Sequence, residues 1–324
     1  MSYGTVSRFL NGGKWVSAEA RRSVERAIAN TGYTANRHAR SLVTGRSGSI
    51  AFLLPEPQQV LFEDPTFSIL LRSVTQAVSD RQLTLILMIA STDGERDRVI
   101  DYLAGGHVDG VLLISSHYGD PLLPRLAAAD VPVVATGRPG FDESIGTVTA
   151  DDLGGARTAV EHLIGVGCRH IATITGPQDT SGGTDRLAGY RQALLAAGRP
   201  VEEHAIAYGD WTRDSGAAAM RTLLQHDPGL DAVFAANDLM AAGAMTVLRE
   251  AGRTVPQDVH LVGFDDTGLA ATLRPALTTI RQPLERVSQE MVRLICDPSS
   301  LPMSVTLPTT LVIRDSSPER PLEP

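Results

Sequence analysis

SYGTVSRFLN, the run at residues 2–11, has the pattern of a short amphipathic helix. Val6, Phe9 and Leu10 recur at helical spacing and would form its packed face. The other face carries hydroxyl, amide and guanidinium groups, which contact phosphates and base edges when a helix lies in a DNA groove. These candidate DNA-reading positions are Tyr3, Gly4, Thr5, Ser7, Arg8 and Asn11.

A second helix is predicted directly after this run. Ser17 is a suitable N-cap, Glu19 lies in the first turn, and Gly32 ends the helix. Its apolar positions are Ala20, Val24, Ala27 and Ile28. An arginine-rich segment, ANRHARSLVTGR, then spans residues 35–46. So short a helix is marginal alone, so this segment is either a solvated linker or a hinge that orders against a partner.

The charge of the chain is unevenly distributed. Residues 1–48 contain eight basic and two acidic residues, a net charge of +6, whereas the whole chain carries −8. The remaining residues therefore carry −14. A basic head on an acidic body is expected when one end of a protein binds a polyanion. Because Lys14 is the one lysine among 29 basic residues, arginine is a general bias here and no single arginine is diagnostic.

From Ser49 onward, short β-rich runs alternate with longer helical patterns, which is typical of βαβ units and parallel sheets. A first series predicts strands at 50–54, 83–90, 110–114 and 133–136, with helices at 67–80, 95–104 and 122–129. A second series predicts strands at 170–175, 206–208, 232–235 and 260–264, with helices at 153–166, 186–197, 214–225 and 239–251. Two series indicate an α/β body of two doubly wound, Rossmann-like lobes that enclose a ligand cleft.

The runs at 2–11, 16–42 and 44–55 (SYGTVSRFLN, VSAEARRSVERAIANTGYTANRHARSL and TGRSGSIAFLLP) together resemble the lac repressor family of bacterial transcription regulators. The resemblance implies a recognition helix of a helix-turn-helix, then a hinge helix that orders on operator DNA. It implies base reading by Tyr3, Gly4 and Arg8, and phosphate contacts by Thr5 and Ser7. It also implies a minor-groove wedge at Leu42, and further DNA contacts at Asn11, Asn36, Arg37 and Ala39.

Members of that family begin with one more helix, which packs behind the recognition helix. Met1 stands where they usually have valine, so we expect a longer reading frame that starts upstream; a chain that starts here would have a loose head. The expected domains are a partial head at 1–34, a hinge at 35–48, a body similar to periplasmic binding proteins at 49–314, and a disordered tail at 315–324. Within the body, the first lobe would span 49–149 with 282–302, and the second 150–281 with 303–314.

Polar residues at predicted strand ends and helix starts are candidates for an effector site. Arg186 opens the helical run RLAGYRQAL, Asn237 follows a strand in FAANDLMAAGAM, and Asp265 follows another in LVGFDD. Each run is similar to a family motif whose polar residue holds a small-molecule effector. Asn237 could equally be a helix cap, and we expect Asp238 to be the cap and Asp266 a turn residue.

The resemblance adds two aromatic residues and one carboxylate to this candidate site. Trp211 in YGDWTRDSG and Phe67 in DPTFSILL match aromatic positions that contact the effector, and an indole ring stacks well on the apolar face of a sugar. One aspartate of TADDLGG would supply a further acceptor, either Asp151, which we favour, or its neighbour Asp152.

The sequence lacks common enzyme motifs. GxSxG, HExxH, GxxxxGK and a GxGxxG after a strand are all missing, and Cys168 and Cys296 are isolated. We therefore expect no enzyme activity, no metal and no cofactor. There is no signal-peptide run, and the longest apolar stretch, 83–90, is too short to span a membrane, so a cytoplasmic protein is expected.

The resulting hypothesis is a ligand-responsive regulator, most simply a repressor, that binds a pseudo-palindromic operator as a homodimer. Its effector would be a carbohydrate, and the helix around residues 70–78 would form part of the dimer surface. A transporter's solute-binding protein would need an export signal and has no use for residues 1–46. An α/β enzyme that turns over a bound sugar, and a ligand sensor that has lost DNA binding, are also compatible with the pattern.

Overall fold

The computed structural model describes residues 5–6, 9, 16–31, 46–140, 145–297, 299 and 301–319. The predicted second helix is confirmed as α1, Ala18–Thr31. Ser17 caps it, since its Oγ accepts a hydrogen bond of 3.3 Å from the Ala20 amide. Val24 is buried, and the Arg21 guanidinium lies 5.5 Å from the centroid of the Phe9 ring.

The first lobe is built on a parallel sheet of six described strands. In chain order these are β1 (Ser49–Leu54), β2 (Thr84–Ile89), β3 (Gly110–Leu113), β4 (Val133–Thr136), β5 (Gly146–Ala150) and β11 (Ser304–Leu307). They lie side by side in the order β11-β5-β4-β3-β1-β2. Its helices are α2 (Gln58–Glu63), α3 (Pro65–Ser79), α4 (Asp93–Ala104), α5 (Leu122–Ala127) and α11 (Leu284–Cys296).

Strand β1 explains why the runs of this lobe are continuously apolar. Ile50, Phe52 and Leu54 face α3 and α11 on one side of the sheet. Ala51 and Leu53 pack against α4 and α5 on the other. Because helices cover both faces, neither face of the strand can be polar.

The second lobe repeats this plan. Its strands are β6 (Ile171–Thr175), β7 (Ile206–Tyr208), β8 (Ala232–Ala235), β9 (His260–Asp265), β10 (Thr278–Arg281) and β12 (Thr310–Val312). Their order is β12-β10-β9-β8-β6-β7, with β12 antiparallel to β10 and the other pairs parallel. Its helices are α6 (Asp152–Gly165), α7 (Ser181–Ala196), α8 (Arg213–His226), α9 (Asp238–Glu250) and α10 (Gly268–Thr272). The predicted α/β body of two lobes is confirmed.

Two predicted boundaries are wrong. The chain returns to the second lobe after Leu307 and not at residue 303, because β11 pairs with β5 of the first lobe. Helix α7 begins at Ser181 and not at Arg186, because the Thr180 hydroxyl caps it by accepting from the Gly183 amide at 3.1 Å. The sequence pattern also missed β5, α2 and α10, which are short.

The predicted disorder of the tail is wrong for its first residues. Ser316 and Ser317 are fully buried. The Ser316 Oγ donates to the Leu261 carbonyl at 2.6 Å and accepts from the Thr278 amide at 2.8 Å. Small polar residues can be buried when partners satisfy them, which composition alone does not reveal. Residues 320–324 lie outside the described residues.

None of the helices in the described part of the chain combines the length and the apolar character that a membrane span requires.

Candidate functional site

A cavity of about 450 Å³ lies between the lobes, at the carboxyl ends of strands from both sheets. A smaller space of about 170 Å³ adjoins it, and the two share Thr66, Phe67, Ser115, Arg186, Trp211 and Gln282. Five of the six predicted effector residues line the larger cavity: Phe67, Arg186, Trp211, Asn237 and Asp265. A space of similar size, about 490 Å³, lies at the other end of the second sheet and contains none of them.

Arg186 is the buried cation of this site. Its Nε and Nη2 each lie 2.8 Å from Asp152 Oδ1, and its Nη1 donates to Asp265 Oδ1 at 3.2 Å and to the Ala236 carbonyl. Burial opposes the charge of the guanidinium, but Asp152 and Asp265 outweigh it, so the pKa of Arg186 is raised. The side chain is therefore a fixed cation held by two carboxylates.

Asp151, the predicted acceptor, lines neither of the two spaces, whereas the neighbouring Asp152 lines the smaller one and reaches Arg186. The Asp151 Oδ1 instead accepts a hydrogen bond of 2.9 Å from the Gly154 amide and caps α6. A cap must turn back toward the first free amides of its helix, so the next residue is the one left to face the cleft.

Asn237 is both a cap and a cavity residue. Its Oδ1 accepts from the Met240 amide at 2.8 Å at the start of α9, and its Nδ2 donates to the Trp211 carbonyl at 2.9 Å. Asp238, the predicted cap, does not cap this helix. It is buried and accepts instead from Thr279 Oγ1 at 2.6 Å and from the Thr267 amide at 2.9 Å. Burial raises its pKa well above the ordinary value.

Asp265 lines the cavity, whereas Asp266 forms ion pairs with Arg281 and Arg314. Gln282 Nε2 donates to Asp265 Oδ1 at 2.6 Å. Burial raises the pKa of Asp265 to about 7, against the attraction of Arg186. The Asp265 carboxylate can thus accept hydrogen bonds from hydroxyl groups. Near neutral pH the protonated fraction of Asp265 can also donate one.

The backbone around the cavity adopts unusual conformations. Among the described residues, Ser115, Trp211 and Asp265 have φ values of 65°, 73° and 106°, in the region that favours glycine. A side chain at Gly176 would collide with the indole of Trp211. The Trp211 ring therefore lies against the backbone at the end of β6. The Arg186 guanidinium lies 5.3 Å from the centroid of the ring, and Trp211 lines both of the adjoining spaces.

Several charged residues of the cavity were missed by sequence reasoning. His117 lies between Glu56 and Asp179, with its Nε2 2.9 Å from Glu56 Oε1 and its Nδ1 2.8 Å from Asp179 Oδ2. Asp64 caps α3 by accepting from the Thr66 amide at 2.8 Å, and burial raises its pKa. The Asp-Pro start of α3 is a capping signal; His117 has no motif and is found only by its place after β3.

Known proteins with the same architecture identify the family. A model described as a periplasmic binding protein-like domain matches residues 160–317. The HTH-type transcriptional regulator CelR of Thermobifida fusca is 46% identical over 319 residues, which cover 97% of this chain and 94% of that protein. The lac repressor dimer bound to operator and the anti-inducer ONPF superposes with a TM-score of 0.84 at 27% identity, covering 98% of this chain and 96% of that one. The chain belongs to the LacI family of transcriptional regulators.

A LacI-family structure with a sugar is also similar along its whole length. The transcriptional regulator CelR-cellobiose complex has a TM-score of 0.81 and 44% identity, and the match covers 98% of this chain and 96% of that chain. These LacI-family relatives are transcriptional regulators and not enzymes.

Most of the predicted DNA contacts of this LacI-family chain lie outside the described residues. Thr5 is helical, as its run predicts. The others that were predicted and are not described are Tyr3, Gly4, Ser7, Arg8, Asn11, Asn36, Arg37, Ala39 and Leu42.

The helix that we expected at the dimer surface is α3. Its apolar residues Leu70, Val74 and Val78 are buried in the first lobe and cannot contact a partner. The exposed face of α3 is polar and carries Arg72 and Gln76.

Proposed function

We propose that this LacI-family protein is a sugar-responsive repressor whose affinity for operator DNA is set by a glycoside of the cellobiose type. The observation that carries the proposal is the combination, in one cavity between the lobes, of the Arg186–Asp265 pair with the Trp211 ring. A sugar ring offers hydroxyls at its edge and C–H groups on its faces, so it needs both polar partners and an aromatic surface.

The size of the site favours two sugar rings. The larger cavity and its smaller neighbour adjoin at Phe67, Arg186 and Trp211, so one ligand could occupy both. The smaller space is rich in hydroxyl groups that can exchange hydrogen bonds with a sugar: Ser115, Ser116, Thr136, Thr149, Thr180 and Ser181. Cellobiose, the sugar in the complex of the related CelR, has two glucose rings.

The proposed mechanism is a shift between arrangements of the lobes. A ligand that contacts Phe67 of the first lobe and Arg186 of the second stabilises one arrangement over the others. The first lobe then acts on the DNA-binding segment through its attachment point. There the Ser47 and Gly48 amides donate to the two carboxylate oxygens of Asp109 at 2.6 and 3.0 Å. Ligand and operator must affect each other's binding by the same factor.

On the DNA side, Tyr3, Gly4 and Arg8 would read bases and Leu42 would enter the minor groove of a pseudo-palindromic operator. Each recognition helix needs its own half-site, so the operator-bound form would be a homodimer.

Calorimetric titration with cellobiose tests the site. We expect cellobiose to bind the wild-type protein, and Asp265→Ala to weaken that binding about tenfold or more, the loss of one hydrogen bond to a charged group. Asp101→Ala, a matched change at an exposed position of α4, should leave the affinity unchanged. Cooperative unfolding of both variants establishes that they are folded. Wild-type affinity in Asp265→Ala would show that the site is misplaced.

A further inference from the structure

We infer that the cavity selects the unphosphorylated form of its sugar and excludes sugar phosphates. This inference rests on the proposed function, because it concerns the same cavity and the same class of ligand. The structural basis is the balance and the pairing of the charges that line the space between the lobes.

Carboxylates outnumber cations around the two adjoining spaces. The acidic lining residues are Glu56, Glu63, Asp64, Asp152, Asp210 and Asp265. The basic ones are His117, Arg186 and Arg213. Even with His117 protonated, the described residues of the lining include six acidic groups against three basic ones.

Two of these cations already have carboxylate partners. Arg186 is held by Asp152 and Asp265 at 2.8 and 3.2 Å. His117 is held by Glu56 and Asp179 at 2.9 and 2.8 Å. A phosphate that sought either cation would have to displace a carboxylate or lie beside one.

The third cation is poorly placed for an anion inside the cavity. Arg213 is the first residue of α8, is exposed to solvent, and donates from Nη2 to the Thr246 hydroxyl at 3.3 Å. An exposed guanidinium in water attracts a phosphate only weakly, because the high dielectric constant of the solvent screens the interaction.

A phosphate group would add a charge of about −1.5 to −2 at pH 7 to this setting. Like charges in a partly buried site repel strongly. The carboxylates of the cavity already crowd one another, since Asp64 and Asp152 both raise the pKa of Asp265. Neutral sugar hydroxyls are favoured in the same site, because they can donate hydrogen bonds to these carboxylates.

The inference places the regulator in a sequence of reactions. Its effector must be supplied by an uptake step that does not transfer a phosphoryl group to the sugar. Phosphorylation of the sugar consumes the effector and ends the signal. A glycosidase that cleaves the unphosphorylated glycoside would end it in the same way.

The test compares cellobiose with cellobiose 6-phosphate by calorimetry, at one pH and ionic strength, on the full chain. We expect cellobiose 6-phosphate to bind about 30-fold more weakly or worse, because its phosphate adds negative charge to a partly buried site that is already acidic. Asp64→Asn keeps an N-cap residue on α3 while it removes one negative charge from the cavity. It should therefore reduce the ratio of the two sugars' dissociation constants severalfold. Asp101→Asn removes one negative charge at an exposed position of α4 and should leave this ratio unchanged.

The outcomes separate the two claims. Equal or tighter binding of cellobiose 6-phosphate overturns the inference and leaves the proposed function intact. If Asp64→Asn discriminates between the two sugars as strongly as the wild type, charge in the cavity is not the cause. This result also overturns the inference. If neither sugar binds, the proposed function fails, and the inference fails with it.

Discussion

His117 Nδ1 lies 2.8 Å from Asp179 Oδ2, and this contact joins the first lobe to the second. On the other side of the ring, Nε2 lies 2.9 Å from Glu56 of the first lobe. A second charged contact, between Arg138 Nη2 and the Asp185 carboxylate at 2.6 Å, also joins the lobes. Ion pairs therefore join the two lobes at the face where they meet.

The His117 contact predicts a pH dependence of stability. The hydrogen bond to Glu56 raises the pKa of His117 to about 9, against burial and with help from Asp179. Because the pKa in the folded protein is above the ordinary value of 6.5, the charged form stabilises the fold. This contribution is complete below pH 6.5 and is lost as the pH rises through 9.

Thermal unfolding of His117→Gln between pH 6 and 10 checks this expectation. The variant should be less stable than the wild type at pH 6, and the difference in Tm should shrink toward pH 10. His204→Gln, a change at an exposed histidine, serves as the control. A Tm difference that stays constant across this range would contradict the ion-pair role of His117.

Neighbouring aspartates should have separable roles. Asp152→Asn removes a charged partner of buried Arg186 and should weaken cellobiose binding about tenfold. Asp151→Asn keeps a side-chain oxygen that can cap α6, so its sugar affinity should stay within about twofold of the wild type. Calorimetric titration of both variants with cellobiose measures the two affinities. The reverse order of effects would mean that Asp151 is the cavity acceptor after all.

Trp211 should make ligand binding visible by fluorescence. The chain contains two tryptophans, Trp15 and Trp211, and Trp211 lines the cavity. Cellobiose should change the emission of the wild type and of Trp15→Phe. Trp211→Phe should show no change in emission at sugar concentrations that saturate it by calorimetry. A response that persists in Trp211→Phe would place the sugar away from this ring.

The buried end of the described chain should contribute to stability. Ser316→Ala leaves the Leu261 carbonyl and the Thr278 amide without the hydroxyl that now pairs with both. We expect a loss of about 1–3 kcal/mol in the free energy of unfolding, measured with urea. Ser68→Ala, whose exposed hydroxyl bonds the Pro65 carbonyl, should cost less than about 0.5 kcal/mol. Equal stability of the two variants would show that the tail is not docked in solution.

The sequence predicted the core strands well because their burial on both faces leaves a continuous apolar run. Residues 50–54 and 232–235 are such runs, and β1 and β8 match them closely. Strand β5 has a glycine and two threonines among its five residues, and no local pattern marks it. Nothing in the four residues of β11 tells which sheet they join, since pairing is decided by contacts distant in sequence.

Residues of the candidate site could be predicted where both the place of a residue in the chain and its chemical type indicated a ligand contact. Asn237 and Asp265 lie at or just after strand ends, Arg186 lies in the second turn of α7, and all three line the cavity. Asp151 and Asp152 are adjacent and chemically identical, so only the direction of each side chain separates them. His117 has its two carboxylate partners 61 and 62 residues away in the chain, a relationship that no local pattern contains.

The most direct measurement is the affinity of the full chain, with and without cellobiose, for an operator fragment selected from random DNA by its binding to the protein. Fluorescence anisotropy measures this affinity at fixed salt. We expect saturating cellobiose to change the affinity for DNA about fivefold or more, and Asp265→Ala to bind the DNA without this response. An operator affinity that cellobiose leaves unchanged, while calorimetry shows the sugar bound, would contradict the proposed sugar-responsive repressor.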